Sequence, residues 1–304
     1  MLAIFDVEGV LFDAEYLPIL AEKVNKEKEI WDITKKGIEG VINWEEGLKK
    51  RVELLKGLKY ETCKEVADSL PIMTGAKEAC SVLKAAGWKL LAISGGFTII
   101  TERLKKELNL DHVFSNELIF KDGKLDGVKI NVDSDKSRSA KIKINEWNEK
   151  KENIVVAVDG ANDIKLFDIC GLGVAYRAQD IVKDKADVTL DEKDLSKLID
   201  VINRHYKLEL STIAKPVKLT STKNHTQTLD TRNHTGKPQK RDTAWGQAGR
   251  LDFIKNQAAR WRHYHSITKS CLKTRRANSK SFLGNTIDSC SRLGLRIPKK
   301  PSNC

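Results

Sequence analysis

Short apolar runs separated by stretches of helical periodicity organise the first 207 residues. Leu2-Ala3-Ile4-Phe5, Lys89-Leu90-Leu91-Ala92-Ile93 and Ile154-Val155-Val156-Ala157-Val158 are nearly continuous in hydrophobic side chains. That is the pattern of strands buried on both faces. Gly171-Leu172-Gly173-Val174-Ala175-Tyr176 predicts a fourth strand and Val188-Thr189-Leu190 a fifth. Helices are predicted over residues 76–87, 98–108, 137–150, 162–170 and 194–206. Strands and helices in alternation, joined by right-handed crossovers, predict an α/β fold: a Rossmann-like parallel sheet with helices on both faces.

Two stretches depart from that alternation. Residues 14–71 hold no buried strand, only amphipathic helical segments rich in Glu and Lys. They follow the first strand directly and predict a small helical cap over its carboxyl end, leaving residues 1–13 and 72–207 as the core. Ile119-Phe120-Lys121-Asp122-Gly123-Lys124-Leu125 predicts a hairpin, because Asp-Gly between extended segments favours a tight turn.

Charge changes this description only at the end of the chain. The 304 residues carry a formal charge of +12. Residues 208–304 contain 20 Lys and Arg against 5 Asp and Glu, so the preceding part is slightly acidic. The basic segment shows no apolar periodicity over a helix length and is read as a tail without a fold of its own. The rival reading is contact with nucleic acid or an anionic surface through Arg260-Trp261-Arg262-His263-Tyr264-His265, where cations alternate with aromatics.

No apolar run approaches the ~20 residues of a membrane span, so no membrane partner is expected. The opening residues lack a basic secretory leader. Six scattered cysteines form neither a CxxC pair nor a disulfide framework. The expectation is a cytoplasmic protein.

Candidate chemistry sits at three strand ends, where open α/β sheets bind ligands. Asp6 and Glu8 stand two residues apart after the first strand. Ser94-Gly95-Gly96 follows the second and opens a helix, offering a hydroxyl and backbone N–H groups to an anion. Asp159-Gly160-Ala161-Asn162-Asp163 follows the third, with carboxylates of the kind that hold Mg²⁺ beside a substrate phosphate. Singly, each also reads as an ordinary turn or helix cap.

Taken in order, Asp-x-acid, Ser-Gly-Gly, a lysine and Asp-Gly-x-Asn-Asp resemble the haloacid-dehalogenase superfamily of phosphatases, and within it the phosphoserine phosphatases. The resemblance covers about residues 2–207 and includes Glu15 in FDAEYL, Arg51 in NWEEGLKKRVELL, SGGF and DGANDIKLF. It implies an Mg²⁺-dependent hydrolase of a small phosphomonoester, with Asp6 as nucleophile and Glu8 as general acid and base. It also implies that Asp6, the Glu8 carbonyl and Asp159 hold the metal, with Asp163 close by. Ser94, the Gly95 N–H and a lysine would cradle the phosphate. Lys136 is assigned that role, with Lys141 and Lys143 as neighbours in sequence. Asn162 would contact phosphate or substrate, Glu15 the phosphoserine ammonium and Arg51 its carboxylate, with Trp44 as an apolar wall.

The sequence departs from the family pattern at three positions. Glu8 stands where a second Asp is usual, Val10 where Thr follows, and Val158 where Gly commonly precedes Asp159. Asp-x-Glu-Gly-Val also resembles a branch that is both phosphoserine phosphatase and homoserine phosphotransferase. The acceptor, water or an alcohol, therefore stays open at this point.

Overall fold

The computed structural model describes residues 1–38 and 42–211. The segment Arg260–His265 and nearly all of the basic tail lie outside the described residues. A seven-stranded sheet forms the centre, in the order β4-β3-β2-β1-β5-β6-β7. The strands are β1 (Leu2–Phe5), β2 (Lys89–Phe97), β3 (His112–Lys121), β4 (Lys124–Lys129), β5 (Ile154–Val158), β6 (Leu172–Tyr176) and β7 (Val188–Leu190). Neighbours pair in parallel except β3 with β4. Asp122 and Gly123 both take positive φ in that hairpin turn, the geometry that their sequence favours.

Side chains alternate across the sheet and divide the core into two layers. Ala3 and Phe5 face a layer that includes helices α5 (Ala76–Ala85), α6 (Thr98–Glu107) and α9 (Leu198–Tyr206). Leu2 and Ile4 face the other, which takes in residues of α7 (Lys136–Glu146) and α8 (Asp180–Lys183). Leu208 and Leu210 continue onto the first layer, held by Asn203, whose amide donates to the Leu210 carbonyl at 2.8 Å.

Two predicted elements differ in detail. Residues 162–170 do not form an α-helix: Ala161–Ile169 is a 3₁₀ run. Its three-residue period places Asp163 and Leu166 on one buried stripe. The second strand runs beyond Ile93 to Phe97 and takes in Ser94-Gly95-Gly96, while the helix after it begins at Thr98 as predicted.

Four helices lie between β1 and α5: α1 (Tyr16–Glu22), α2 (Glu27–Ile38), α3 (Trp44–Glu53) and α4 (Tyr60–Ser69). Asn43 caps α3 by accepting the Glu46 N–H at 2.7 Å, an Asn-x-x-Glu start. The chain leaves and re-enters the core side by side, with the Asp13 N–H on the Pro71 carbonyl and the Met73 N–H on that of Leu11. Arg103, on α6, donates to the Ala67, Asp68 and Leu70 carbonyls at the end of α4. Its guanidinium also lies over the Phe12 ring, 5.3 Å from the centroid. A core helix thus satisfies carbonyls that a helix terminus leaves without intrahelical partners.

Candidate active site

Asp6 follows β1 directly, and its N–H still donates to the Ala157 carbonyl of β5 at 3.1 Å. The next residues turn sharply, with the Leu11 and Phe12 N–H groups both on the Val7 carbonyl. Gly9 takes φ +86° there, and a Cβ on it would come within 2.2 Å of an Asp159 carboxylate oxygen. Glycine therefore serves both the left-handed backbone and the close approach of Asp159. Val10, where the family pattern has Thr, is buried in the main core layer.

Glu8 joins two parts of the site. One carboxylate oxygen accepts the Tyr16 N–H at 2.6 Å, at the start of α1. The other faces Gly96, where a Cβ would sit 2.5 Å from it. Burial, reinforced by the charge of Asp6, pushes the Glu8 carboxyl up to about 7, against the Tyr16 hydrogen bond and the Arg51 and Lys136 charges. A carboxyl titrating there can give and take a proton near neutrality.

Ser94-Gly95-Gly96 bulges from the β2–β3 ladder. Ile93 pairs with Phe114, but Phe97 pairs with Asn116, so three residues of β2 oppose one of β3. The Ser94 hydroxyl accepts the Gly96 N–H at 2.9 Å. The Trp44 indole covers Gly95, with Cζ2 3.2 Å from where a Cβ would lie.

Lys136 is the first residue of α7, whose N-cap Asp135 accepts from the Ser137 N–H and hydroxyl. Its ammonium lies 2.7 Å from Asp6 and 2.9 Å from Asp163. Burial opposes its charge, but Asp163 and Asp6 outweigh that and hold its pKa above the usual lysine value. The neighbouring lysines turn elsewhere: Lys141 is exposed and Lys143 pairs with Glu146 at 2.7 Å.

Asp6, Asp159 and Asp163 offer carboxylate oxygens that all lie within 4.8 Å of one another. Burial and then the Asp6 charge push Asp159 up to about 8, and the same two causes raise Asp163 well above the carboxylate range. The Asp163 Oδ2 is buried without a hydrogen-bond partner. Exposed Asn162 donates to the other Asp163 oxygen at 3.1 Å. An orphaned oxygen, crowded carboxylates and an all-oxygen donor set fit a hard cation.

Two residues of the segment between β1 and α5 add their charges to this cluster. Glu15 is raised by burial and then by the charges of Glu8, Asp159 and Asp6, while Arg51 opposes the shift. Glu15 and Arg51 therefore share one electrostatic environment with the carboxylate cluster. Tyr16 escaped the sequence reading, because it contributes to Glu8 only a backbone N–H, which leaves no side-chain signal.

A match to the haloacid dehalogenase-like hydrolases spans residues 3–168. The phosphoserine phosphatase of Methanocaldococcus jannaschii is 38% identical over 207 residues, covering 66% of this chain and 97% of that protein. That of Archaeoglobus fulgidus is 37% identical over 205 residues and 66% of this chain, but the chain spans only 59% of that relative. A solved structure described as a phospho-aspartyl intermediate analogue of phosphoserine phosphatase superposes with a TM-score of 0.62 at 35% identity, covering 66% of this chain and 97% of that one. A substrate-bound phosphoserine phosphatase complex gives 0.63 at 34% identity, with the same two coverages.

Proposed function

The chain belongs to the haloacid dehalogenase-like hydrolases, and within that family we propose that it hydrolyses O-phosphoserine to serine and phosphate through an aspartyl-phosphate on Asp6. The observation that carries this reading is the cluster of Asp6, Asp159 and Asp163 with the buried Lys136 bridging two of them. The similarity to phosphoserine phosphatases over nearly the whole Methanocaldococcus protein points to the substrate. As the substrate is a free small metabolite, a cytoplasmic setting belongs to the same proposal.

In this mechanism an Asp6 oxygen attacks phosphorus as the bond to the serine oxygen breaks. Glu8 gives its proton to that leaving oxygen, then removes one from the water that cleaves the aspartyl-phosphate. Ser94, the Gly95 N–H and Lys136 receive the phosphate oxygens, with Asn162 at the rim. Asp6, the Glu8 carbonyl, Asp159 and Asp163 would hold Mg²⁺. Bound there, Mg²⁺ supplies charge neutralisation between an anionic nucleophile and an anionic phosphate. Glu15 takes the ammonium of the substrate and Arg51 its carboxylate as a two-point fork, and Trp44 walls the side chain.

Release of phosphate from phosphoserine with Mg²⁺, measured on the intact chain and on Asp6→Asn, tests the reading. Activity in the former and none in the latter supports it, and phosphoserine turnover by Asp6→Asn contradicts it. The sequence Asp6-x-Glu8-Gly9-Val10 favours a second reading, transfer to an alcohol. Homoserine in the same assay would then yield phosphohomoserine at the expense of free phosphate.

A further inference from the structure

Asn116 is fully buried in the middle of β3, and its side-chain amide bonds to backbone groups of two segments that carry active-site residues, the bulge of β2 and the stretch before α7. Its amide nitrogen donates to the Gly95 carbonyl at 2.9 Å. Its amide oxygen accepts two backbone N–H groups, from Asn131 and Val132, each at 2.9 Å. Neither tether is a ladder bond. The three-residue bulge lifts Gly95 out of register with β3, so its carbonyl, without a ladder partner, takes one from a side chain.

The peptide between Gly95 and Gly96 is consequently held at both ends. Asn116 holds its carbonyl, and its N–H donates to the Ser94 hydroxyl oxygen. With that oxygen already accepting, the hydroxyl hydrogen is left to donate outward. The second tether acts four residues before Lys136: residues 131 and 132 lead into the turn where Asp133 accepts the Asp135 N–H and Asp135 caps α7.

We propose that Asn116 is a positioning residue that sets the Ser94–Gly96 peptide and the loop delivering Lys136 to a common geometry, so that both meet one phosphate. The inference rests on the phosphatase reading above, but its subject is the phosphate group and not the serine moiety. Asn116→Asp separates the two tethers. A carboxylate in that place still accepts from Asn131 and Val132, but presents an oxygen instead of a donor to the Gly95 carbonyl. Asn116→Ala removes both.

The test measures inhibition by inorganic phosphate, with Mg²⁺ and p-nitrophenyl phosphate as reporter substrate, beside kcat and KM. Leu198→Ala, at the start of α9 and fully buried in the first core layer, serves as a control that lowers thermal stability without touching the site. The expected result is an inhibition constant for phosphate raised about tenfold in Asn116→Asp, the loss of one well-aligned hydrogen bond. Asn116→Ala is expected to show at least that rise and a lower kcat as well, and it carries the test if the Asp variant does not fold. Leu198→Ala keeps its phosphate inhibition constant. Phosphate inhibition unchanged in the folded Asn116 variants, or shifted equally in Leu198→Ala, overturns the proposal. A wild-type chain that turns over p-nitrophenyl phosphate but not phosphoserine removes the substrate reading and leaves this comparison intact.

Discussion

The Lys136 ammonium lies 2.7 Å from the Asp6 carboxylate although 130 residues of chain separate them. Parallel pairing of the central strand β1 with β5 and β2 brings Asp6 to the carboxyl end of the sheet, and the capped start of α7 brings Lys136 to it. With Asp163 at 2.9 Å, the lysine is the buried cation among three aspartates. Lys136→Met should therefore lower kcat/KM by about two to three orders of magnitude, as expected for removing a preorganised charge at a phosphoryl site. Lys136→Arg should not restore it, because a planar fork cannot occupy the place of a compact ammonium. Steady-state kinetics on both variants checks this, and near-wild-type turnover by either would count against it.

Gly96 gives Glu8 its room. A Cβ there would stand 2.5 Å from the Glu8 oxygen and 3.0 Å from the Ser94 hydroxyl. Gly96→Ala should displace the Glu8 carboxylate and cut kcat by about a hundredfold, while thermal unfolding shifts by only a few degrees. A pH–rate profile that loses the limb near neutrality would identify Glu8 as the group disturbed.

Glu15 and Arg51 should govern which ester is preferred. Glu15→Gln and Arg51→Lys are expected to raise KM for phosphoserine by about tenfold or more, since each loses a charged contact or a two-point fork. Neither should greatly change turnover of p-nitrophenyl phosphate, which has no ammonium or carboxylate to recognise. An equal loss on both substrates would place these residues in general catalysis or folding.

Crowded carboxylates give the metal-free protein an inverted response to pH. Glu8 at about 7 and Asp159 at about 8 retain protons in the folded state that the unfolded chain has already released above the ordinary carboxylate range. Folded protein thus binds more protons than unfolded protein in that window, and stability falls as pH rises through it. In EDTA the melting temperature should drop between about pH 5 and about pH 8, and Asp159→Asn should flatten the drop. Added Mg²⁺ should stabilise most at the upper end, where the carboxylates are free to bind it. A melting temperature that rises over the same range would contradict the assignment.

Some of this architecture was readable in the sequence because burial on both faces leaves a continuous apolar run. Leu2–Phe5 and Ile154–Val158 are of that kind and announced β1 and β5. Of β3 only the end showed, in the hairpin over Ile119–Leu125, because Ser115, Asn116 and Glu117 interrupt the strand and most of its residues are only half-buried. The 3₁₀ winding of Ala161–Ile169 was hidden because Asp163, a polar residue, occupies a buried position of the three-residue repeat. Within the site, the acidic motifs and Lys136 could be named from spacing and family resemblance. The part of Asn116 could not, since it follows from a bulge in β2 that only the paired strands define.

The central claim is that Asp6 itself carries the phosphoryl group. Acid-quenched protein taken during turnover of phosphoserine with Mg²⁺, then reduced with borohydride, should contain homoserine at residue 6 in its peptide map, because an acyl phosphate is reduced and a free carboxylate is not. No homoserine should appear without substrate. Rapid turnover with aspartate intact at residue 6, or with the reduced residue elsewhere in the chain, would contradict the account.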